Sequence, residues 1–268
     1  MLRPGLVSIT FRLSEPEQII QLCSDAQLGG IEWGGDVHVP HGDTRRAAAV
    51  GEMTRAAGLT SVAYGSYYAF RDLYGREEVD SQLLFDTAEA LEAPVVRVWA
   101  GTQGSDETDE ATRMKLVASA RRLGNEAERR GLRVAFEYHA NTLTDTPKSA
   151  TRLMNDIDHP AVTVLWQPPN GASKEHSTQS LRLALPRLEH IHCFHWGPRG
   201  FDDKLPLEGG EERWLNYLSI IASVTPKQVD RWILLEFLPN GKRNELVRDA
   251  KVLRRWIQVV GASDLLEN

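Results

Sequence analysis

Four polar residues interrupt apolar runs in the second half of the chain: Glu137 in VAFEYH, Gln167 in VLWQPP, His192 in HIHCFH and Glu236 in ILLEF. Two carboxylates, an imidazole and an amide carbonyl can together hold one divalent cation. Such hard oxygens with one nitrogen suit Mn2+ first, with Mg2+, Co2+ or Zn2+ as alternatives. The lack of a cysteine among them argues against a structural zinc site. A bound cation would offset the charge that builds on two adjacent oxygens when a hydroxyketone enolises, and a carboxylate beside the carbon would move the proton. A lone glutamate at a strand end is more often an ion-pair partner than a catalyst. Three ionisable groups at one spot are harder to explain that way, because the carboxylates would repel one another without a cation.

Side-chain alternation along a strand tests whether the four can converge. With Glu137 inward, Val134, Phe136 and Tyr138 face outward. Gln167 inward puts Val164 and Trp166 outside, and His192 inward does the same for Ile191 and Cys193. Glu236 inward turns Ile233, Leu235 and Phe237 out. Each outward set is largely apolar, as a layer packed under helices requires, so all four polar groups fall on one inner surface near one rim. His190 is read as an inward packing histidine below them. Arg97, also inward, is expected to pair with Glu32, or else to bind an acidic substrate group.

The elements that must position these residues alternate strictly. Strands are expected at Leu6–Phe11, Gly30–Trp33, Leu59–Tyr64, Val95–Trp99, Arg133–Tyr138, Thr163–Gln167, Leu188–Cys193 and Trp232–Phe237. Helices fall between them, one starting at Ser14-Glu15-Pro16-Glu17 with Ser14 as cap, another at Asp43-Thr44, and a long one stopped by Gly131. Eight strands alternating with eight helices predict an α/β chain of one domain, residues 1–268, folded as a (β/α)8 TIM barrel. A doubly wound open sheet would need a glycine-rich phosphate loop after the first strand, and Phe11-Arg12-Leu13-Ser14 has no glycine.

Composition narrows the function classes. The 268 residues carry a formal net charge of −6, with 41% hydrophobic and 25% charged residues, ordinary for a globular protein. No overall basic field exists to attract nucleic acid, and Arg45-Arg46, Arg121-Arg122 and Arg129-Arg130 read as solvated helix faces. Two cysteines, Cys23 and Cys193, suit reduced thiols in a cytoplasmic protein. Neither a membrane-spanning run nor a signal peptide is read from the chain. Tyr67-Tyr68-Ala69-Phe70 is expected as an exposed loop, able to serve as contact surface in a homo-oligomer.

In order and spacing, GIEWGGDVH, VRVWAG, FEYH, HIHCFHW, PLEGGEERW and LLEF resemble the xylose-isomerase-like sugar isomerase/epimerase superfamily along essentially the whole chain. The resemblance implies that Glu137, His192 and Glu236 fill three of four metal-ligand positions, and that the two glutamates are also the acid/base pair. It also implies a departure: the strand-six aspartate of such proteins is here Gln167, which can offer a carbonyl oxygen but no charge. The histidine found three residues further on in many epimerases is here Asn170. Substrate contacts are expected from His139, His195, Trp33, Trp99, Asn170 and Arg199, with His38, His41 and Lys174 nearby on loops. Loop histidines and tryptophans more often pack than bind.

The function implied is a divalent-metal-dependent isomerase or epimerase of a small sugar, sugar phosphate or polyol, working through a cis-enediolate. A dehydratase on the same scaffold, acting on a keto-polyol or cyclic hydroxy-keto acid, shares the enolisation and differs in losing water. A non-catalytic sugar-binding relative is the alternative outside enzymes. A DNA-repair endonuclease is disfavoured by the acidic chain.

Overall fold

Each apolar run pairs in parallel with the next, and the last with the first, so the sheet closes. The strands are β1 (Leu2–Val7), β2 (Gly30–Gly34), β3 (Thr60–Tyr68), β4 (Val95–Val98), β5 (Arg133–Glu137), β6 (Val162–Trp166), β7 (Leu188–Cys193) and β8 (Arg231–Leu235). Closure runs from Leu2 opposite Arg231 to Leu6 opposite Leu235. Around the strands lie α1 (Pro16–Asp25), α2 (Thr44–Ala56), α3 (Ser81–Ala90), α4 (Glu110–Arg129), α5 (Pro147–Ile157), α6 (Lys174–Ala184), α7 (Glu211–Val224) and α8 (Arg243–Ser263). This is the expected (β/α)8 barrel. The computed structural model describes residues 1–263; residues 264–268 of the expected domain lie outside them.

Alternation sorts the side chains as the sequence implies. Phe136, Trp166, Ile191 and Leu235 face outward and join the helices in one continuous core. Ala63, Val95, Ala135 and Leu165 fill an inner layer. Cys23 and Cys193 are free and buried. Among the described residues no helix is long and apolar enough to cross a membrane.

Three expectations about local structure change. The first strand ends at Val7, and Ser8–Phe11 winds into a 3-10 turn instead of continuing it. Glu15, not Ser14, caps α1: its side chain and that of Gln18 bond each other's backbone reciprocally, with Pro16 in the first turn. Tyr67–Phe70 is no exposed contact loop. β3 runs on to Tyr68, Ala69 and Phe70 are buried, and Phe70 stacks on Phe136.

Candidate active site

Glu137 closes β5, His192 lies in β7, and Gln167 and Glu236 each follow the last residue of their strand. All four turn inward at the C-terminal rim, the face that carries the reaction sites of such barrels. His192 is the hub. Its Nδ1 lies 3.5 Å from Glu137 Oε1 and 3.3 Å from Glu236 Oε2. Its Nε2 hydrogen-bonds Glu32 Oε2 at 3.0 Å. Glu32 in turn accepts from Arg97 Nε at 2.6 Å, and Arg97 Nη1 donates to Glu137 Oε2 at 2.5 Å. Glu32, Arg97, Glu137 and His192, from β2, β4, β5 and β7, thus form a closed ring of charged groups, each at most 5% exposed.

The two rim glutamates are unequal. Glu137 accepts from Arg97, from Trp99 Nε1 at 2.6 Å and from Gln167 Nε2 at 3.1 Å. Burial opposes its ionisation, but Arg97 and then His192 outweigh this and hold the carboxyl well below its usual range. Glu236 Oε2, by contrast, is buried with no hydrogen-bond partner among the described residues, as is His192 Nδ1. Burial also opposes the charge on His192, yet Glu236 and Glu32 outweigh it and raise its pKa.

Two unpartnered buried atoms, His192 Nδ1 and Glu236 Oε2, face each other beside a second carboxylate, Glu137, and donors of these types suit a divalent cation. A carboxylate on the far nitrogen of the imidazole is the arrangement that orients a metal-ligating histidine. Among the described residues no group of three or more His, Cys, Asp or Glu side chains forms a ready metal cage, and the fourth inward group is an amide. Gln167 Nε2 also donates to the Tyr138 carbonyl at 2.7 Å. A carbonyl only accepts, so this bond fixes the amide with its nitrogen, not Oε1, toward Glu137.

Above the ring lies a cavity of about 690 Å3, lined among others by Trp99, Glu137, His139, Asn170, Gln167 and Glu236. His139 stacks on Trp99 with ring centroids 4.5 Å apart, and its Nδ1 is bonded to the Ala140 carbonyl. Trp196, Phe201 and Phe237, in mutual ring contact, also line the cavity. Phe237 was expected outward; a positive φ of 55° turns it into the mouth instead.

Other expected substrate contacts are not brought here. Trp33 is fully buried on the outer side of β2 and meets His38 edge-on, as alternation from inward Glu32 requires. His195 lines a neighbouring cleft of about 420 Å3 and bonds the Pro206 carbonyl. A Cβ on Gly209 would come within 2.6 Å of its ring. Arg199 is 74% exposed and paired with Asp203. His38 bonds Ser8, His41 bonds Tyr64, and Lys174 pairs with Glu212. Arg97 does meet Glu32, and His190 is buried below His192. Sequence reasoning missed Arg12, Tyr67 and Phe201 as lining residues. No strand pattern reaches them, since each follows or bends away from a strand end.

The chain matches the family described as xylose isomerase-like TIM barrel over residues 20–258. It is 31% identical over 185 residues to a 3-dehydroshikimate dehydratase of Bacillus anthracis, a match covering 62% of this chain and 64% of that protein, less than two thirds of its length. Among solved structures, a xylose isomerase-like TIM barrel protein from Mycobacterium smegmatis in complex with magnesium has a TM-score of 0.71 at 14% identity, over 96% of this chain and 97% of that one. D-psicose 3-epimerase from Clostridium cellulolyticum, solved with D-tagatose, gives 0.70 at 13% identity, over 96% and 99%. At these identities the two structures show the fold alone.

Proposed function

The chain belongs to the xylose isomerase-like TIM-barrel family, and on that footing we propose that it is a lyase removing water from a small cyclic hydroxy-keto acid. The inequality of the two glutamates carries this reading. Exchange of a proton between two carboxylates, as an isomerase or epimerase needs, asks both to change protonation. Glu137 is bound by three donors and held ionised, so it serves as fixed negative charge. Glu236 Oε2 accepts no hydrogen bond among the described residues, so Glu236, which would also lend an oxygen to a cation, is the carboxylate that takes the proton from the carbon beside the carbonyl. One base suffices for elimination. His139 delivers the proton to the departing hydroxide: the Ala140 carbonyl holds Nδ1–H, which leaves Nε2 as the exchanging end.

Glu137, His192 Nδ1 and Glu236 would hold a divalent cation, and Gln167 would join only by turning its amide over and giving up the Tyr138 bond. Bound there, the cation supplies polarisation of the carbonyl and stabilises charge on its oxygen. The aromatic lining of the cavity, with Trp99 on His139 and Trp196 against Phe237, suits a flat ring. The 31% identity to a 3-dehydroshikimate dehydratase makes 3-dehydroshikimate the first substrate to try. Loss of water and tautomerisation would turn it into 3,4-dihydroxybenzoate.

An isomerase or epimerase remains the second reading, favoured by Glu137 Oε1 and Glu236 Oε2 both lying near His192 Nδ1. Product mass separates them. Incubating the Mn2+-loaded protein with 3-dehydroshikimate should give a product lighter by one water. Ketohexoses converted at unchanged mass, with deuterium entering carbon from D2O and no dehydration, would overturn the lyase.

A further inference from the structure

The cavity is lined by three carboxylates, Glu137, Asp145 and Glu236, which oppose the entry of an acid. Among the described residues only two guanidinium or ammonium groups line it, Arg97 and Arg12. Arg97 is committed. It is 2% exposed, its Nε and Nη1 are bonded to Glu32 and Glu137, and the Tyr67 ring covers its face at 4.6 Å. Arg12 is different: it stands at the mouth, 46% exposed, and Nη2 meets Asp36. A guanidinium carries five donors in a fork that matches a carboxylate, so most of it remains for a second anion.

Local structure places Arg12 there. The 3-10 turn Ser8–Phe11 carries the chain over the barrel mouth directly before it. Asp36 follows the Gly34-Gly35 pair at the end of β2 and is 31% exposed. On the other side β3 shifts register between Gly65 and Tyr68, and Tyr67, with φ of 56°, swings into the cavity.

We propose that Arg12 is the specificity-determining residue that admits an acidic substrate, anchoring its carboxylate at the mouth while the reacting carbons lie by Glu236. This rests on the hydroxy-keto acid reading above. Asp36 holds the guanidinium until the substrate carboxylate arrives and competes with it. An uncharged ring of the same shape gains nothing from Arg12.

Calorimetric titration of the Mn2+-loaded protein with 3,4-dihydroxybenzoate and with its neutral analogue 3,4-dihydroxybenzamide tests the assignment. Arg12→Gln should weaken the acid by about 10- to 100-fold, the worth of a charged hydrogen bond, and the amide by less than about 3-fold. Asp36→Asn, which keeps Arg12 and removes its resident anion, should tighten the acid by about 2- to 5-fold, as expected for an exposed ion pair. Equal losses for acid and amide, unchanged acid binding in Arg12→Gln, or weaker acid binding in Asp36→Asn would each overturn the role. The two readings fail separately. Arg12-dependent acid binding without loss of water from 3-dehydroshikimate ends the lyase and keeps Arg12. Dehydration with acid binding indifferent to Arg12 does the reverse.

Discussion

Glu137 at the end of β5 and Glu236 just past β8 both turn inward at the same rim, yet their partners give them opposite work. Glu236→Gln removes a base whose Oε2 has no hydrogen-bond partner. It should lower kcat by about 10^2- to 10^4-fold while leaving the denaturation midpoint nearly unchanged. Glu137→Gln takes a charge from a buried ring and leaves Arg97 with Glu32 alone. Removing one partner of a buried pair costs about 3–5 kcal/mol, which urea denaturation would register. If Glu137→Gln were as stable as the parent, the fixed-charge role given to Glu137 would be wrong. Alternation along short strands made Glu137, His192 and Glu236 legible in the sequence. The same rule, applied from Glu32, already sends Trp33 outward to the helices. The unequal partners were not legible, because Arg97 and Trp99 reach Glu137 from β4 and its end, and Gln167 from the end of β6.

At the level of elements, strands and helices followed from apolar periodicity, while the segments just past the strands did not. Tyr67 and Phe237 both have positive φ, a region that bulky residues seldom enter and no propensity anticipates. These two bends each add an aromatic ring to the lining. Gly65 shows how tightly a strand is fitted to the site. It sits opposite Arg97 in the β3–β4 register, and a Cβ there would lie 2.7 Å from Arg97 Nη2 and 2.9 Å from Glu32 Oε1. A guanidinium end could ordinarily swing away, but this one is pinned by two carboxylates. Gly65→Ala is therefore expected to destabilise by about 1–3 kcal/mol, as overpacking does, and to lower Mn2+ affinity by displacing the carboxylate that orients His192. Titration calorimetry with Mn2+ reads the second effect, and unaltered affinity would mean that Glu32 does not orient the histidine.

Over the whole barrel, the interior charges set how stability responds to acid. His190 lies two residues before His192 on β7, 4% exposed. Its Nδ1 accepts a long bond from the Trp232 backbone at 3.4 Å. Burial, opposed by Glu189 and Glu32, lowers its pKa to about 4, against about 6.5 in an unfolded chain. The unfolded state therefore binds a proton that the folded state refuses. Stability is full above about pH 6.5 and is lost as pH falls toward 4. His38 and His41, lowered by burial as well, act in the same direction. His192 is raised, so its contribution is already complete below 6.5 and adds no slope there. Glu32 and Glu137 are lowered, and their stabilisation begins to fall only below the ordinary glutamate range near pH 4.3. The stretch from pH 6.5 to 4.5 is thus where the buried neutral histidines act, opposed by Asp249, whose carboxyl burial raises. His190→Leu should shrink the stability difference between pH 7 and pH 4.5 by on the order of 2 kcal/mol, measured by urea denaturation at both. An acid loss as steep in the variant as in the parent would place the proton uptake on another group.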